Sequence, residues 1–159
     1  MPEAFVIRPA ISSDDISAVA ALFQAYAASL PVDLGYQDFG SELAALPGKY
    51  GPPAGALLLA RGAGDAPLGC VGLRPIAPAG CCEMKRLYVS PAGRGLGLGR
   101  ALAQAAVGRA RAIGYTELRL DTLPDMASAI GLYERMGFAR IAPYYAPTPP
   151  GTIFMALTL

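Results

Sequence analysis

The chain has 159 residues, 53% of them hydrophobic and 16% charged, with a formal charge of +1, proportions that suit one compact domain over 1–159 with a real core. It has no histidine and only three cysteines, which excludes histidine-based triads and general bases and leaves no basis for a metal site or a disulfide framework. No apolar run nears the roughly 20 residues of a membrane span, the start Met1-Pro2-Glu3-Ala4 has no signal-peptide character, and the near-neutral charge argues against nucleic acid, so a soluble, cytoplasmic protein is expected.

In chain order, residues 5–9 read as a short strand, and Ser12-Ser13-Asp14-Asp15 offers N-caps to a helix over 16–30 that Pro31 stops. Val19, Leu22, Phe23 and Tyr26 recur at helical spacing and give that helix one packing face. A shorter helix is expected over 38–46, before Pro47-Gly48. The loop between carries Tyr36 and Phe39, which either close over a substrate or pack into the core. Residues 57–60 and 68–73 look like strands joined across Gly62-Ala63-Gly64-Asp65, and Cys81–Val89 supplies the next strand. Cys81 and Cys82, as neighbours, point to opposite faces of it, and with Cys70 they read as small buried hydrophobes.

After Gly97, Leu98, Leu102, Ala105, Ala106 and Ile113 form an apolar stripe on a helix that ends at Gly114. Leu118 and Leu120 alternate with Glu117, Arg119 and Asp121 as a half-buried strand, and Asp125 is placed to cap a helix over 126–136 that Gly137 closes. A proline-stiffened loop with Tyr144 and Tyr145 leads to a final strand over 152–159. The succession is mixed α/β, with an antiparallel run followed by one βαβ unit.

The chemistry concentrates in Leu87-Tyr88-Val89-Ser90-Pro91-Ala92-Gly93-Arg94-Gly95-Leu96-Gly97-Leu98-Gly99-Arg100, a strand, a turn rich in glycine and arginine, and a helix start. Such a turn lets backbone N–H groups approach an anion, and the helix N-terminus adds unsatisfied donors. Residues 1–83 hold eight acids and four bases, whereas Lys85, Arg86, Arg94, Arg100, Arg109 and Arg111 follow with no acid before Glu117. That local excess suits a polyphosphorylated ligand, with Arg109 and Arg111 assigned to the helix's solvated face. A Walker loop is excluded, because Arg100-Ala101 stands where Lys-Ser/Thr is needed. A dinucleotide fingerprint fits Gly95 and Gly97 but meets Arg100 in place of its third glycine, with Asp121 as the ribose-binding acid.

The pattern R-x-x-G-x-G, read as Arg94, Gly97 and Gly99 after the strand Leu87-x-Val89, resembles the Gcn5-related N-acetyltransferase (GNAT) family. The helix Ala129-Ile130-Gly131-Leu132-Tyr133-Glu134-Arg135-Met136-Gly137-Phe138 is similar to that family's A-x-x-L-Y-x-x-x-G-F element, with Met126 where many members carry Asn. The resemblance implies a mostly antiparallel central sheet flanked by helices and acetyl-CoA as co-substrate without a metal. It assigns Leu87, Tyr88 and Val89 to the pantetheine arm and Arg94, Gly95, Leu96, Gly97, Leu98, Gly99 and Arg100 to the pyrophosphate. It makes Tyr133 the acid that protonates the departing thiolate, against the plain reading of a core tyrosine, and Glu83 a base for the amine, directly or through water, against a solvated strand carboxylate or a partner of Lys85 or Arg86.

The expected activity is acetyl transfer to a primary amine of a small molecule or peptide, by direct attack in a ternary complex. A non-catalytic acyl-CoA sensor and a dinucleotide-dependent oxidoreductase remain as alternatives, and the apolar closing strands are candidates for pairing in a homodimer.

Overall fold

The computed structural model describes residues 4–159. Its sheet contains the hairpin of β2 (Ala56–Arg61) and β3 (Pro67–Ile76), apolar on both faces because helices cover both. β1 (Val6–Pro9) pairs with β2 on the outside, and β4 (Cys81–Val89) pairs with β3 on the other side, all antiparallel. β4 then crosses over through helix α3 (Leu98–Ile113) to β5 (Glu117–Thr122), the one parallel neighbour, as such a connection requires. After helix α4 (Ala127–Arg135), β6 (Ala139–Ile141) and β7 (Ile153–Thr158) complete a seven-stranded sheet in the order β1-β2-β3-β4-β5-β7-β6. The sheet is therefore mixed and mostly antiparallel, the architecture expected from the sequence.

Helices α1 (Ser13–Ser29) and α2 (Phe39–Ala44) lie along the first half of the chain. On the α1 side, Val19, Leu22 and Phe23 pack on Leu57, Leu59 and Cys70. On the other, Leu98, Leu102, Ala106 and Ala110 of α3 and Tyr133 of α4 pack on Leu58, Val71, Leu73 and Met84. β2 thus sends alternate leucines to two cores. The three cysteines are free and buried. Among the described residues, no helix is long and apolar enough to cross a membrane.

Several boundaries differ from the sequence expectation. α1 begins at Ser13, because Ser12 is the cap and its hydroxyl accepts from the Asp15 amide at 3.1 Å. Asp125 does not cap α4: Met126 holds the cap position with no side-chain hydrogen bond, and the helix starts at Ala127. β6 went unanticipated because three residues carry no periodicity; it exists through its pairing with β7. β7 is flanked on both sides, so β6 is the closing strand with an open edge.

The feature that positions the site is a splay. β4 and β5 pair only at Cys81↔Glu117, Cys82↔Leu118 and Glu83↔Arg119, after which they part and leave the facing backbone groups of residues 84–89 without a ladder. The β3–β4 register shifts between Cys70↔Tyr88 and Gly72↔Lys85, placing Arg86 and Leu87 together opposite Val71. This is a β-bulge, and Arg86 takes a left-handed φ of 60° to make it. A bulge bends the strand that carries it, and this one lies in the stretch of β4 that has already parted from β5.

Candidate active site

The gap between β4 and β5 holds a cavity of about 80 Å³ lined by Lys85, Arg86 and Leu87 of β4, Asp121 and Thr122 of β5, and Tyr133 of α4. Tyr26 at the end of α1, with Tyr36 and Gln37 from the α1–α2 connection, closes the other side. A more open groove of about 400 Å³, lined by Leu87, Tyr88, Val89, Arg94 and Ser128, shares Tyr26, Leu87, Met126 and Ala129 with the cavity. The two adjoin along these four residues, and together, as the channel, their walls reach from Arg94 to Asp121.

At the outer end lies the glycine turn. Gly95 (φ 82°) and Gly97 (φ 73°) both take left-handed conformations, and a side chain on either would meet nothing within 4 Å. They are needed for backbone shape and not for lack of room. The first amide after Arg94 to find a backbone acceptor is that of Ala101, on the Gly97 carbonyl at 3.1 Å. Among the described residues the amides of 95–100 have no acceptor, which makes this end of α3 a concentrated donor site for an anion. Arg94 and Arg100 are exposed beside it.

Lys85 and Arg86, counted with this positive cluster on sequence grounds, do not belong to it. They are buried on the far side of β4, where each meets carboxylates: Arg86 Nε donates to Glu42 at 2.9 Å, and Lys85 Nζ lies 3.6 Å from Asp121 and 3.8 Å from Glu83. Arg86 also donates to the Gln37 carbonyl at 2.7 Å, and its guanidinium stacks on the Phe39 ring at 5.1 Å. Burial lowers the Lys85 pKa below the usual lysine range, against the raising effect of Asp121 and Glu83.

Tyr133 is buried, its ring tilted against Phe138 with centroids 5.7 Å apart, and it lines the cavity. Burial raises its pKa, so the hydroxyl keeps its proton throughout the neutral range. Glu83 sits elsewhere. It is 1% exposed, accepts from Arg74 Nε at 2.9 Å and from the Tyr144 hydroxyl at 2.5 Å, and is not part of the cavity wall. The carboxylate that does reach the cavity is Asp121, which accepts hydrogen bonds from the Tyr145 hydroxyl and from Gln37 Nε2.

Met126, in place of the family's common Asn, lies where groove and cavity meet, and its sulfur accepts a contact from the Thr122 hydroxyl at 3.6 Å. Tyr26, read from sequence as a packing residue, stands at the same junction, edge-on to Tyr88 with centroids 6.1 Å apart; burial pushes its pKa up to about 12. Gln37 and the Arg86 bulge had no sequence signal, since each depends on partners far away in the chain. Tyr36 lines the cavity, while Phe39 packs on Arg86.

The family model for acetyltransferases (GNAT) matches residues 19–138. An uncharacterized N-acetyltransferase of Schizosaccharomyces pombe is 41% identical over 138 residues, 87% of this chain and 85% of that protein. A GNAT-family acetyltransferase of Staphylococcus aureus Mu50 superposes with a TM-score of 0.80 at 17% identity, over 98% of this chain and 99% of that one. A Salmonella typhimurium protein solved with its cofactor acetyl-CoA superposes with a TM-score of 0.70 at 22% identity, over 98% and 94%. The splayed strands, the donor-rich turn and the buried tyrosine stand in a chain that belongs to the acetyltransferase (GNAT) family.

Proposed function

We propose that this chain transfers an acetyl group from acetyl-CoA to a primary amine by direct attack, with both substrates bound together. The observation that carries the reading is the cavity in the β4–β5 gap, with Tyr133 and the Asp121 carboxylate in its wall, adjoining a groove that reaches Arg94 at the edge of the glycine turn. The fit to coenzyme A is chemical. Amides of 95–100 with Arg94 and Arg100 suit a diphosphate, and the unpaired edge of β4 at Leu87, Tyr88 and Val89 offers an extended amide arm the pairing that β5 does not give. The co-substrate supplies an acyl thioester. The structural relative solved with acetyl-CoA shares this fold and supports the same ligand here.

In the transfer, the neutral amine nitrogen forms a bond to the acetyl carbon as the carbon–sulfur bond breaks. Tyr133 gives its hydroxyl proton to the departing sulfur and is restored by the proton the nitrogen loses, leaving an amide and a thiol. Burial raises the Tyr133 pKa, and it would raise that of a thiol in the same dry pocket too, so proton sharing between phenol and sulfur stays matched. Glu83 is held by Arg74 and Tyr144, so its role in this reading is positioning: it anchors the Tyr144–Tyr145 loop. Calorimetric titration with acetyl-CoA, on the parent and on Gly97→Val, tests the donor turn. Micromolar binding lost in the variant is the expected result, and equal binding by both would refute it.

A further inference from the structure

The acceptor end of the channel is a closed electrostatic network with one opening in it. Three carboxylates take part. Both oxygens of Glu42 accept from Arg86, at 2.9 and 3.2 Å; Glu83 accepts from Arg74 on one oxygen and Tyr144 on the other. Asp121 Oδ2 accepts from Tyr145 and Gln37. Asp121 Oδ1 alone has no donor within hydrogen-bond distance: its nearest cation, Lys85 Nζ, is 3.6 Å away. Both arginines are committed to their own carboxylates, and Lys85 Nζ is shared between Glu83 at 3.8 Å and Asp121 at 3.6 Å, so each cation of the wall already has a carboxylate beside it, whereas an entering ammonium finds Oδ1 without a hydrogen bond. Lys85, buried and flanked by Glu83, Asp121, Arg86 and the Tyr145 ring at 5.9 Å, is a poorly held counter-ion.

Size points the same way. A cavity of about 80 Å³ has room for on the order of half a dozen water-sized groups, and the acetyl end of the thioester takes part of it. Gln37 Nε2 bonds the Tyr36 and Tyr145 hydroxyls, both at 3.0 Å, and tethers the α1–α2 connection to the β6–β7 connection across the top.

We infer that Asp121 Oδ1 is the seat for the acceptor's ammonium group and that the acceptor is a small, cationic primary amine of a few non-hydrogen atoms, not a protein chain. This rests on the acetyl-transfer reading above. The ammonium sheds its extra proton to water before its nitrogen attacks.

The test uses propylamine as probe, with 1-propanol as its uncharged twin and a tetrapeptide with a free N-terminus as the large alternative. Binding to the protein alone is read by nuclear magnetic resonance titration, which needs no turnover, and KM is read with acetyl-CoA present. Propylamine is expected to bind at least tenfold more tightly than 1-propanol, and the tetrapeptide to be a poorer substrate. Asp121→Asn is expected to weaken propylamine ten- to a hundredfold with acetyl-CoA affinity unchanged. Lys85→Met removes the competing cation and should tighten propylamine severalfold, an opposite sign that general loss of structure would not give. Equal binding of amine and alcohol, no weakening in Asp121→Asn, weaker binding in Lys85→Met, or preference for the tetrapeptide would each overturn the assignment. Loss of acetyl-CoA binding in the parent would instead refute the transfer reading, with the propylamine titration still deciding the seat.

Discussion

Replacing Tyr133 by Phe removes one oxygen and leaves the ring in place against Phe138. No protein hydrogen bond to the Tyr133 hydroxyl exists among the described residues, so little folding energy goes with it. The loss should stay under about 1 kcal/mol, which in a domain of this size moves the melting temperature by roughly 2–4 °C at most. Catalysis should fall far more. General acid assistance contributes about 10²–10⁴-fold, so kcat at pH 7 should drop by at least a hundredfold while KM for acetyl-CoA stays within about twofold. The deficit should shrink as pH rises past the ~8.5 of an ordinary thiol, because a thiolate then departs with less need of a proton. Release of free thiol over a pH series measures both effects. A variant that melts with the parent and keeps kcat within threefold at pH 7 would refute the acid role and return Tyr133 to the core.

Gly97→Val forces a β-branched residue to a φ of 73°, so thermal melts should show a loss of about 1–3 kcal/mol beside the loss of acetyl-CoA affinity. Leu102, fully buried between α3 and the sheet, should cost about 2–5 kcal/mol when cut to Ala, measured by urea unfolding. Glu42→Gln removes the carboxylate that neutralises the buried Arg86 guanidinium, leaving it the Gln37 oxygen, and should cost about 3–5 kcal/mol, whereas Glu42→Gln with Arg86→Met should recover much of it in the same assay. Burial raises the pKa of Tyr26 to about 12, and those of Tyr133, Tyr144 and Tyr145 above their ordinary value. A group whose folded pKa exceeds its unfolded value stabilises fully below the unfolded pKa and loses that contribution as pH rises. Melting temperature should therefore fall steeply from pH 10 to 12, with tyrosinate absorbance appearing together with unfolding; absorbance that rises well before unfolding would contradict the buried assignments.

What the sequence made legible was local. β4 was read with both its ends because Gly80 and Ser90-Pro91 punctuate it, and α3 because Gly97 and Gly114 take left-handed conformations at its two ends. The donor turn was legible for the same reason. The acceptor end was legible only at Tyr36, whose loop could be read as closing over a substrate and which lines the cavity. Lys85 and Arg86 read as part of a positive stripe, but alternation along β4 and the bulge turn them to the face where Glu42 and Asp121 wait, residues brought there only by tertiary folding. A left-handed arginine carries no sequence signature at all; it follows from fitting two β4 residues against Val71. Glu83 was readable as a strand acid, but its burial between Arg74 and Tyr144 was not.

The polar network and the splay have a common cause. Where β4 and β5 part after Glu83, the main-chain ladder that would hold them is gone, yet the gap must keep its width if it is to fit substrates. Side chains take over that duty: Lys85 of β4 faces Asp121 of β5, and Gln37 spans from Arg86 on one strand to Asp121 on the other. Charged groups tied to several partners hold strands at a set separation better than apolar ones would, because leucines in those positions would collapse the gap to bury their surface, whereas Lys85 and Asp121 are also held by Glu83, Gln37 and Tyr145 and would disturb those contacts by moving together. On this reasoning the network trades stability for an opening of fixed shape. Replacing Lys85 and Asp121 together by Met and Leu should raise the melting temperature by several degrees and abolish turnover, while calorimetry shows acetyl-CoA still bound at the other end of the channel; a double variant that is less stable than the parent would show that the charges hold the fold and not the gap.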